Sequence, residues 1–287
     1  MKKNWIITFA LVSVSIATTY FATVSTAQQG TAPQVVAGNY EYQVGAVLYM
    51  QQAAEYRALC YQAFNLAKMT LEMDEKNKKK VPKPERKKPR AVVVDIDETM
   101  LDNSPAQAAG IKNNAPFSLK SWYEWGEMRK AKAIPGAVDF ANFAKSKNVR
   151  IFYISNRDEK EQLQHTIDNL KAVGFPEIST ENVLLRQKDA DGKNISTKTP
   201  RRDLVEKTYR VVSLIGDNLN DFSDVFERKS IDERFAETDK VKDWWGTKFI
   251  ALPNAMYGEW ESAIYQYDNK LTEPQKAEKR INTLQLP

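Results

Sequence analysis

The sequence predicts an α/β fold: a Rossmann-like parallel sheet flanked by helices, with a smaller, mostly helical cap. Three observations carry this. Short apolar runs at residues 91–94, 149–154 and 210–215 read as strands buried on both faces. Helix-bearing stretches separate them, which is the order of βαβ units. Each run also stops at a polar cluster: Asp95-Ile96-Asp97, Ser155-Asn156-Arg157-Asp158 and Gly216-Asp217-Asn218-Leu219-Asn220-Asp221. Open α/β sheets bind ligands outside the carboxyl ends of their strands, where these clusters fall. Residues i and i+2 of a strand share a side, so Asp95 and Asp97 face one site while Ile96 packs away from it.

The elements can be justified in chain order. Met1-Lys2-Lys3, an apolar run and Ser25-Thr26-Ala27 form the pattern of a secretory signal peptide over residues 1–27, cut after Ala27. Removing Lys2 and Lys3 with no acid takes the net charge of +5 to about +3. The remaining chain of about 260 residues suffices for one α/β core with an insertion. Residues 28–90 read as an N-terminal helical segment and a basic linker. Ala46, Tyr49, Ala53, Tyr56, Cys60, Phe64, Ala67 and Leu71 recur at spacings of three and four, so residues 39–72 form one long amphipathic helix or two. From 73 to 90 the lysines between Lys76 and Lys88 alternate with prolines, as in a solvated connector.

The core spans residues 91–269. Within it, a cap insertion at about 105–133 lacks a clean period and carries Phe117, Trp122, Tyr123 and Trp125. Pro135-Gly136 opens a helix that reaches about residue 147. A second helix covers 159–173, with Asp158 as N-cap and Gly174 as its stop. Residues 182–186 are a weaker strand, 187–202 a polar and basic stretch, and 248–252 a last short strand before Tyr257-Gly258. Residues 270–287 read as a polar, poorly ordered tail.

Composition narrows the chemistry. One histidine, His165, and one cysteine, Cys60, exclude a Cys/His zinc site and an internal disulfide. No cysteine follows the apolar leader, so no lipid anchor is expected and the protein is placed in the periplasm or secreted. A mild positive charge gathered in one linker makes no case for nucleic acid. Two carboxylates as close as Asp95 and Asp97 need a cation or a shared proton. Either arrangement suits phosphoryl transfer: a hard cation binds carboxylate and phosphate oxygens, one aspartate attacks phosphorus, and a protonated neighbour supplies the leaving oxygen. A calcium loop fails, because Met100 and Ala106 stand where glycine and glutamate are needed.

The ordered set Asp95-Ile96-Asp97-Glu98-Thr99, Ser155-Asn156-Arg157, a lysine, then Gly216-Asp217-Asn218-Leu219-Asn220-Asp221-Phe222 resembles the haloacid dehalogenase superfamily. Within it, the run from Asp95 to Ser104 with Gly216 to Phe222 is similar to the class C acid phosphatases and 5′-nucleotidases of the lipoprotein e type. That resemblance implies Asp95 as nucleophile and Asp97 as general acid and then base. It implies a Mg²⁺ site made by Asp95, Asp217 and the Asp97 backbone carbonyl, with Asp221 holding a metal-bound water or orienting the shell. Ser155 and Asn156 would donate to phosphoryl oxygens, with Arg157 beside them at the substrate. Lys198 would balance the phosphate charge, Lys188, Arg201 and Arg202 remaining as alternatives. Trp122 and Tyr257 occupy the places of an aromatic pair that holds the substrate ring, and Trp125 can exchange roles with Trp122.

The expected activity is Mg²⁺-dependent hydrolysis of phosphomonoesters, nucleoside 5′-monophosphates and aryl phosphates included, through an aspartyl-phosphate. The alternatives are a phosphotransferase using the same intermediate and a non-catalytic surface protein binding nucleotide or haem. The resemblance also points to a homodimer, with the helix of residues 39–72 as contact surface.

Overall fold

In the computed structural model of the chain, residues 39–287 are described, and the signal peptide read at residues 1–27 lies outside them. The chain enters through two helices, α1 (Val44–Gln52) and α2 (Ala54–Lys76), and a short α3 (Lys83–Lys87). Five strands follow: β1 (Arg90–Val94), β4 (Val149–Asp158), β5 (Val183–Arg186), β6 (Arg210–Gly216) and β7 (Phe249–Ala251). They form one sheet in the order β5-β4-β1-β6-β7, every neighbouring pair parallel. β1 is therefore central, and its carboxyl end opens between those of β4 and β6.

Alternation along β1 explains the two layers. Val92 and Val94, with Ile96 beyond them, join the core beneath Cys60, Phe64 and Leu71 of α2 and Phe140 of α6 (Ala137–Ser146). Ala91 and Val93 turn to the other face, against Phe152, Val205, Leu214, Phe222 and Phe249. Both faces are covered, as the unbroken apolar runs require.

The N-terminal stripe holds except at Tyr49, with Ala46 and Ala53 also packed against the core. Tyr56, Cys60, Phe64, Ala67 and Leu71 are buried, but Tyr49 is exposed, and Val47 and Met50 take its place in the core. The cause is Ala53, whose extended backbone (φ −78°, ψ 127°) breaks the helix and resets its phase.

The cap insertion leaves and returns through a two-residue antiparallel ladder, β2 (Leu101–Asp102) with β3 (Lys132–Ala133). Between them lie α4 (Ser104–Lys112) and α5 (Leu119–Met128), the latter capped by the Ser118 side chain on Ser121 N–H. After β4, α7 (Glu159–Ala172) starts on the Asp158 carboxylate, which accepts from the backbone of Lys160 and Glu161.

Three further elements depart from the sequence reading. β4 extends four residues past Ile154, so Ser155 to Asp158 belong to the strand end. The polar stretch 187–202 delivers α8 (Thr199–Thr208), with Lys198 at its N-cap position. The expected irregular tail instead forms α11 (Glu273–Asn282), which follows α9 (Ile231–Lys240) and α10 (Glu259–Ile264) and opens on a Thr272/Gln275 capping box. Arg280 of α11 stacks on Tyr42 and donates to the Tyr265 hydroxyl at 2.6 Å, which ties that tail to the start of the described chain.

Candidate active site

At the carboxyl end of β1 the backbone of Asp95 donates to Ile215 O of β6, and the acids of the two strands meet there. Carboxylate oxygens of Asp95, Asp217 and Asp221 lie within 4.8 Å of one another. Each is placed by local structure. Asp217 accepts from Thr99 Oγ1 (3.3 Å) and from Asn254 Nδ2 (2.8 Å), so the loops after β1 and β7 both grip it. Asp221 folds back in a one-turn capping box, accepting from Asn218 N–H at 3.0 Å. A Cβ at position 216 would collide with the Asp221 side chain, which is why a glycine precedes Asp217.

Lys198 answers this negative charge. Its ammonium bonds Asp95 Oδ1 and lies 2.6 Å from Asp221 Oδ1, with only 6% of the residue exposed. The other basic candidates do other work. Arg202 donates to the carbonyls of Asn220 and Asp221 and so holds their loop. Arg201 donates to Ser155 O (2.6 Å), Asn156 Oδ1 (2.7 Å) and Thr197 O. Lys188 is exposed, on a bridge to Asn194.

The electrostatics are those of an overcrowded acid group. Burial pushes Asp95 well above the usual carboxylate range, Lys198 pulling it down while Asp221 and Asp217 add to the rise. Burial and the nearby Asp221 push Asp217 up to about 7, against the Asn254 hydrogen bond. Burial alone would lower Lys198, but Asp221 and Asp95 outweigh it and raise it. One ammonium among three carboxylates leaves two negative charges, which a divalent cation matches. All the donor atoms are hard carboxylate oxygens, the set that Mg²⁺ prefers. The residues present therefore fit such a cation. The Asp97 side chain stands outside this group.

Asp97 faces the second strand. Its Oδ1 accepts from Arg157 Nε (2.9 Å), Arg157 Nη2 (2.8 Å) and Asn103 Nδ2 (2.9 Å), and its Oδ2 from Ser155 Oγ (2.9 Å). This corrects two expectations. Arg157 is 2% exposed and spends its inner edge on Asp97, so it is not a substrate ligand in this geometry. A buried guanidinium needs a carboxylate, and Asp97 is the one within reach. The Ser155 hydroxyl is likewise buried and committed to Asp97. Asn156 is exposed, and with Oδ1 taken by Arg201 its Nδ2 is the donor left for a ligand. Glu98, fully buried at positive φ, accepts Asn103 N–H at 2.7 Å; burial and the nearby Asp97 raise its carboxyl well above the usual range.

The two tryptophans separate cleanly. Trp122 is half-buried, with the Arg157 guanidinium 5.3 Å from its ring centroid. Trp125 packs against the core and donates its indole N–H to Asn103 Oδ1 at 2.8 Å. Tyr257 is half-buried after β7, next to the core. Asn103, Thr99, Asn254 and Glu98 were not singled out from sequence. The only signal for the first was its place in the dense run that follows Asp95.

Comparison with known proteins agrees with this geometry. Residues 8–260 match the model of the HAD superfamily, subfamily IIIB (acid phosphatase). The class C acid phosphatase from Bacillus anthracis is 38% identical, with a TM-score of 0.78 over 87% of this chain and 99% of that one. The tungstate-bound structure of the Bacillus anthracis class C acid phosphatase gives 39% identity and a TM-score of 0.76 over 86% and 98%. A five-stranded parallel sheet, an acid cluster at its carboxyl edge and a family match over most of the sequence lead to one conclusion: the chain belongs to the class C acid phosphatases of the haloacid dehalogenase superfamily and is a phosphomonoester hydrolase.

Proposed function

We propose that this enzyme is a Mg²⁺-dependent acid phosphatase that acts through an aspartyl-phosphate on Asp95, with nucleoside 5′-monophosphates and aryl phosphates among its substrates. The observation that carries this reading is the grouping of Asp95 with Lys198 and the two acids that follow β6, two residues from the separately held Asp97. The relative that holds tungstate lends support, since tungstate is a tetrahedral oxyanion like phosphate.

In this reading Asp95 attacks phosphorus as the ester P–O bond breaks, and Asp97 delivers its proton to the leaving oxygen, releasing the alcohol. The Asp97 carboxylate then takes a proton from water, whose oxygen attacks the aspartyl-phosphate, and phosphate departs as the Asp95 carboxylate is restored. Lys198 and Asn156 Nδ2 would meet phosphoryl oxygens. Asp95, Asp217, Asp221 and the Asp97 carbonyl would hold the cation, which supplies charge neutralisation for the phosphoryl group. Trp122 and Tyr257 would hold the substrate ring, a mode that tolerates many bases because each has a π-face. Export of the mature chain to the periplasm or medium completes the proposal.

The test is phosphate release from a 5′-mononucleotide and from an aryl phosphate. Samples are the mature protein with Mg²⁺, the same protein after chelation, and Asp95→Asn with Mg²⁺. Turnover of both esters that needs the metal and falls at least about 10³-fold in Asp95→Asn is expected. Metal-independent turnover, or an active Asp95→Asn, would overturn the mechanism. Adding glycerol to the same assay counts phosphate against glycerol phosphate and so measures transfer to an alcohol.

A further inference from the structure

Asp97 is held by two residues that both reach the cap. Asn103 is a junction of hydrogen bonds between the site and the cap. Its backbone N–H donates to Glu98 Oε1 (2.7 Å) and its Nδ2 to Asp97 Oδ1 (2.9 Å). Its Oδ1 accepts from Trp125 Nε1 (2.8 Å) and from Arg157 Nη2 (3.3 Å). An indole N–H can only donate, so Trp125 fixes which way the Asn103 amide faces and thereby keeps the NH₂ group on Asp97. Arg157 is the second holder. Besides its two bonds to Asp97 Oδ1, it donates to Thr166 Oγ1 of α7 at 3.2 Å, and its guanidinium lies over the ring of Trp122. Trp122 and Trp125 both belong to α5, the second helix of the cap insertion.

The two oxygens of Asp97 are also unequal. Oδ1 accepts three N–H groups, more than its two lone pairs serve well, whereas Oδ2 accepts only the Ser155 hydroxyl. Oδ2 is thus the oxygen with room for a proton, and the ring of donors on Oδ1 dictates where Oδ2 points.

We infer that Asn103 and Arg157 are positioning residues that fasten Asp97 to the cap helix, so that Trp125 and Trp122 set the aim of its Oδ2 toward the leaving oxygen. The inference rests on Asp97 being the general acid. It gives the cap a part in proton delivery as well as in holding the ring. A misplaced acid has a signature that lost packing does not. Esters whose alcohol is a poor leaving group need the proton; esters that release a stabilised phenolate hardly do.

The experiment compares benzyl phosphate with 4-nitrophenyl phosphate, two ring esters that share any stacking and differ in leaving group. The quantity is kcat/KM, which ends at release of the alcohol and is blind to the later hydrolysis of the aspartyl-phosphate. Asp97→Asn sets the scale, with an expected loss of about 10²–10⁴-fold on the benzyl ester and far less on the nitrophenyl ester. Trp125→Phe keeps the ring and removes one N–H; it should lose about 5–10-fold on benzyl phosphate and under about 2-fold on 4-nitrophenyl phosphate. Asn103→Ala should show the same split, enlarged to about 30–100-fold against about 3-fold. If Asn103→Ala does not fold, Trp125→Phe and Arg157→Lys carry the test. Equal losses on both esters in these variants, with Asp97→Asn still split, overturn the positioning role alone. An unsplit Asp97→Asn would remove the general-acid reading itself, and this inference with it.

Discussion

Strands β1 and β6 carry charged side chains at both ends, and the two ends are built on opposite principles. At the amino edge, Arg210 pairs with both oxygens of Asp74 at 2.7 and 2.8 Å, and Arg90 reaches the same carboxylate at 3.4 Å and Glu75 at 3.0 Å. Two guanidiniums meet two carboxylates, and the Asp74 hydrogen bonds raise Arg210, locking it in its charged form. At the carboxyl edge, the ion pairs made by the four acids Asp95, Asp97, Asp217 and Asp221 among the described residues are with Lys198 and Arg157. A balanced cluster is finished by the protein itself and serves the fold. An unbalanced one is stable only with a ligand or a proton, and that need marks the edge that does chemistry.

The comparison breaks most visibly at Lys198. Lys198→Ala removes the single ammonium from the unbalanced cluster, so kcat should fall about 10²–10³-fold with any phosphomonoester. A melt of the same variant with Mg²⁺ present should show a folded protein. Near-wild-type turnover would mean that the contacts with Asp95 and Asp221 are structural.

The balanced edge should respond the other way. Asp74→Asn keeps the shape but strips the shared charge from Arg90 and Arg210. Their side chains are 13–14% exposed, so the cost sits below that of a fully buried pair, at about 2 kcal/mol. For a chain of this size that is a fall in Tm of about 4–8 °C. Meanwhile kcat/KM should stay within about 2-fold, because the pair lies at the opposite end of the strands. A large loss of activity at unchanged Tm would contradict the division between the two edges.

That division was half legible in the sequence. Strands buried on both faces announce themselves as apolar runs, so β1, β4 and β6 and the acids at their ends could be placed from residue types alone. Partnership could not. An arginine beside a phosphate site reads as a phosphate ligand until its burial is known, and Arg157 turns out to face Asp97. Asn103 reaches Asp97 and Trp125 across six and twenty-two residues, and Asn254 reaches Asp217 across thirty-seven, partnerships that no residue type announces. One helix or two was open from sequence over residues 39–72; the place of the break, Ala53, was not legible because alanine suits either a helix or a turn, and the changed phase of burial reveals it. Helix α8 went unread because its sequence is almost wholly polar, with Val205 and Arg202 its buried residues.

The smallest effect probes the imbalance directly, through Asp217 in the metal-free protein. Burial and Asp221 hold its carboxyl at about 7, above an ordinary aspartate at about 3.9. Between those values the folded chain binds more protons at this site than the unfolded chain. Its contribution to stability is therefore present below pH 4 and is lost as pH rises toward 7. Asp217→Asn has no such proton to lose. In EDTA the two proteins should melt together at pH 4, and the variant should melt about 3–6 °C higher at pH 7.5, a gap halved for the partial exposure of the site. Adding Mg²⁺ should raise the wild type and not the variant, closing or reversing the gap. Coincident melts in EDTA at both pH values would show that Lys198 alone neutralises the cluster, and the contrast between the two edges would then rest on geometry without charge.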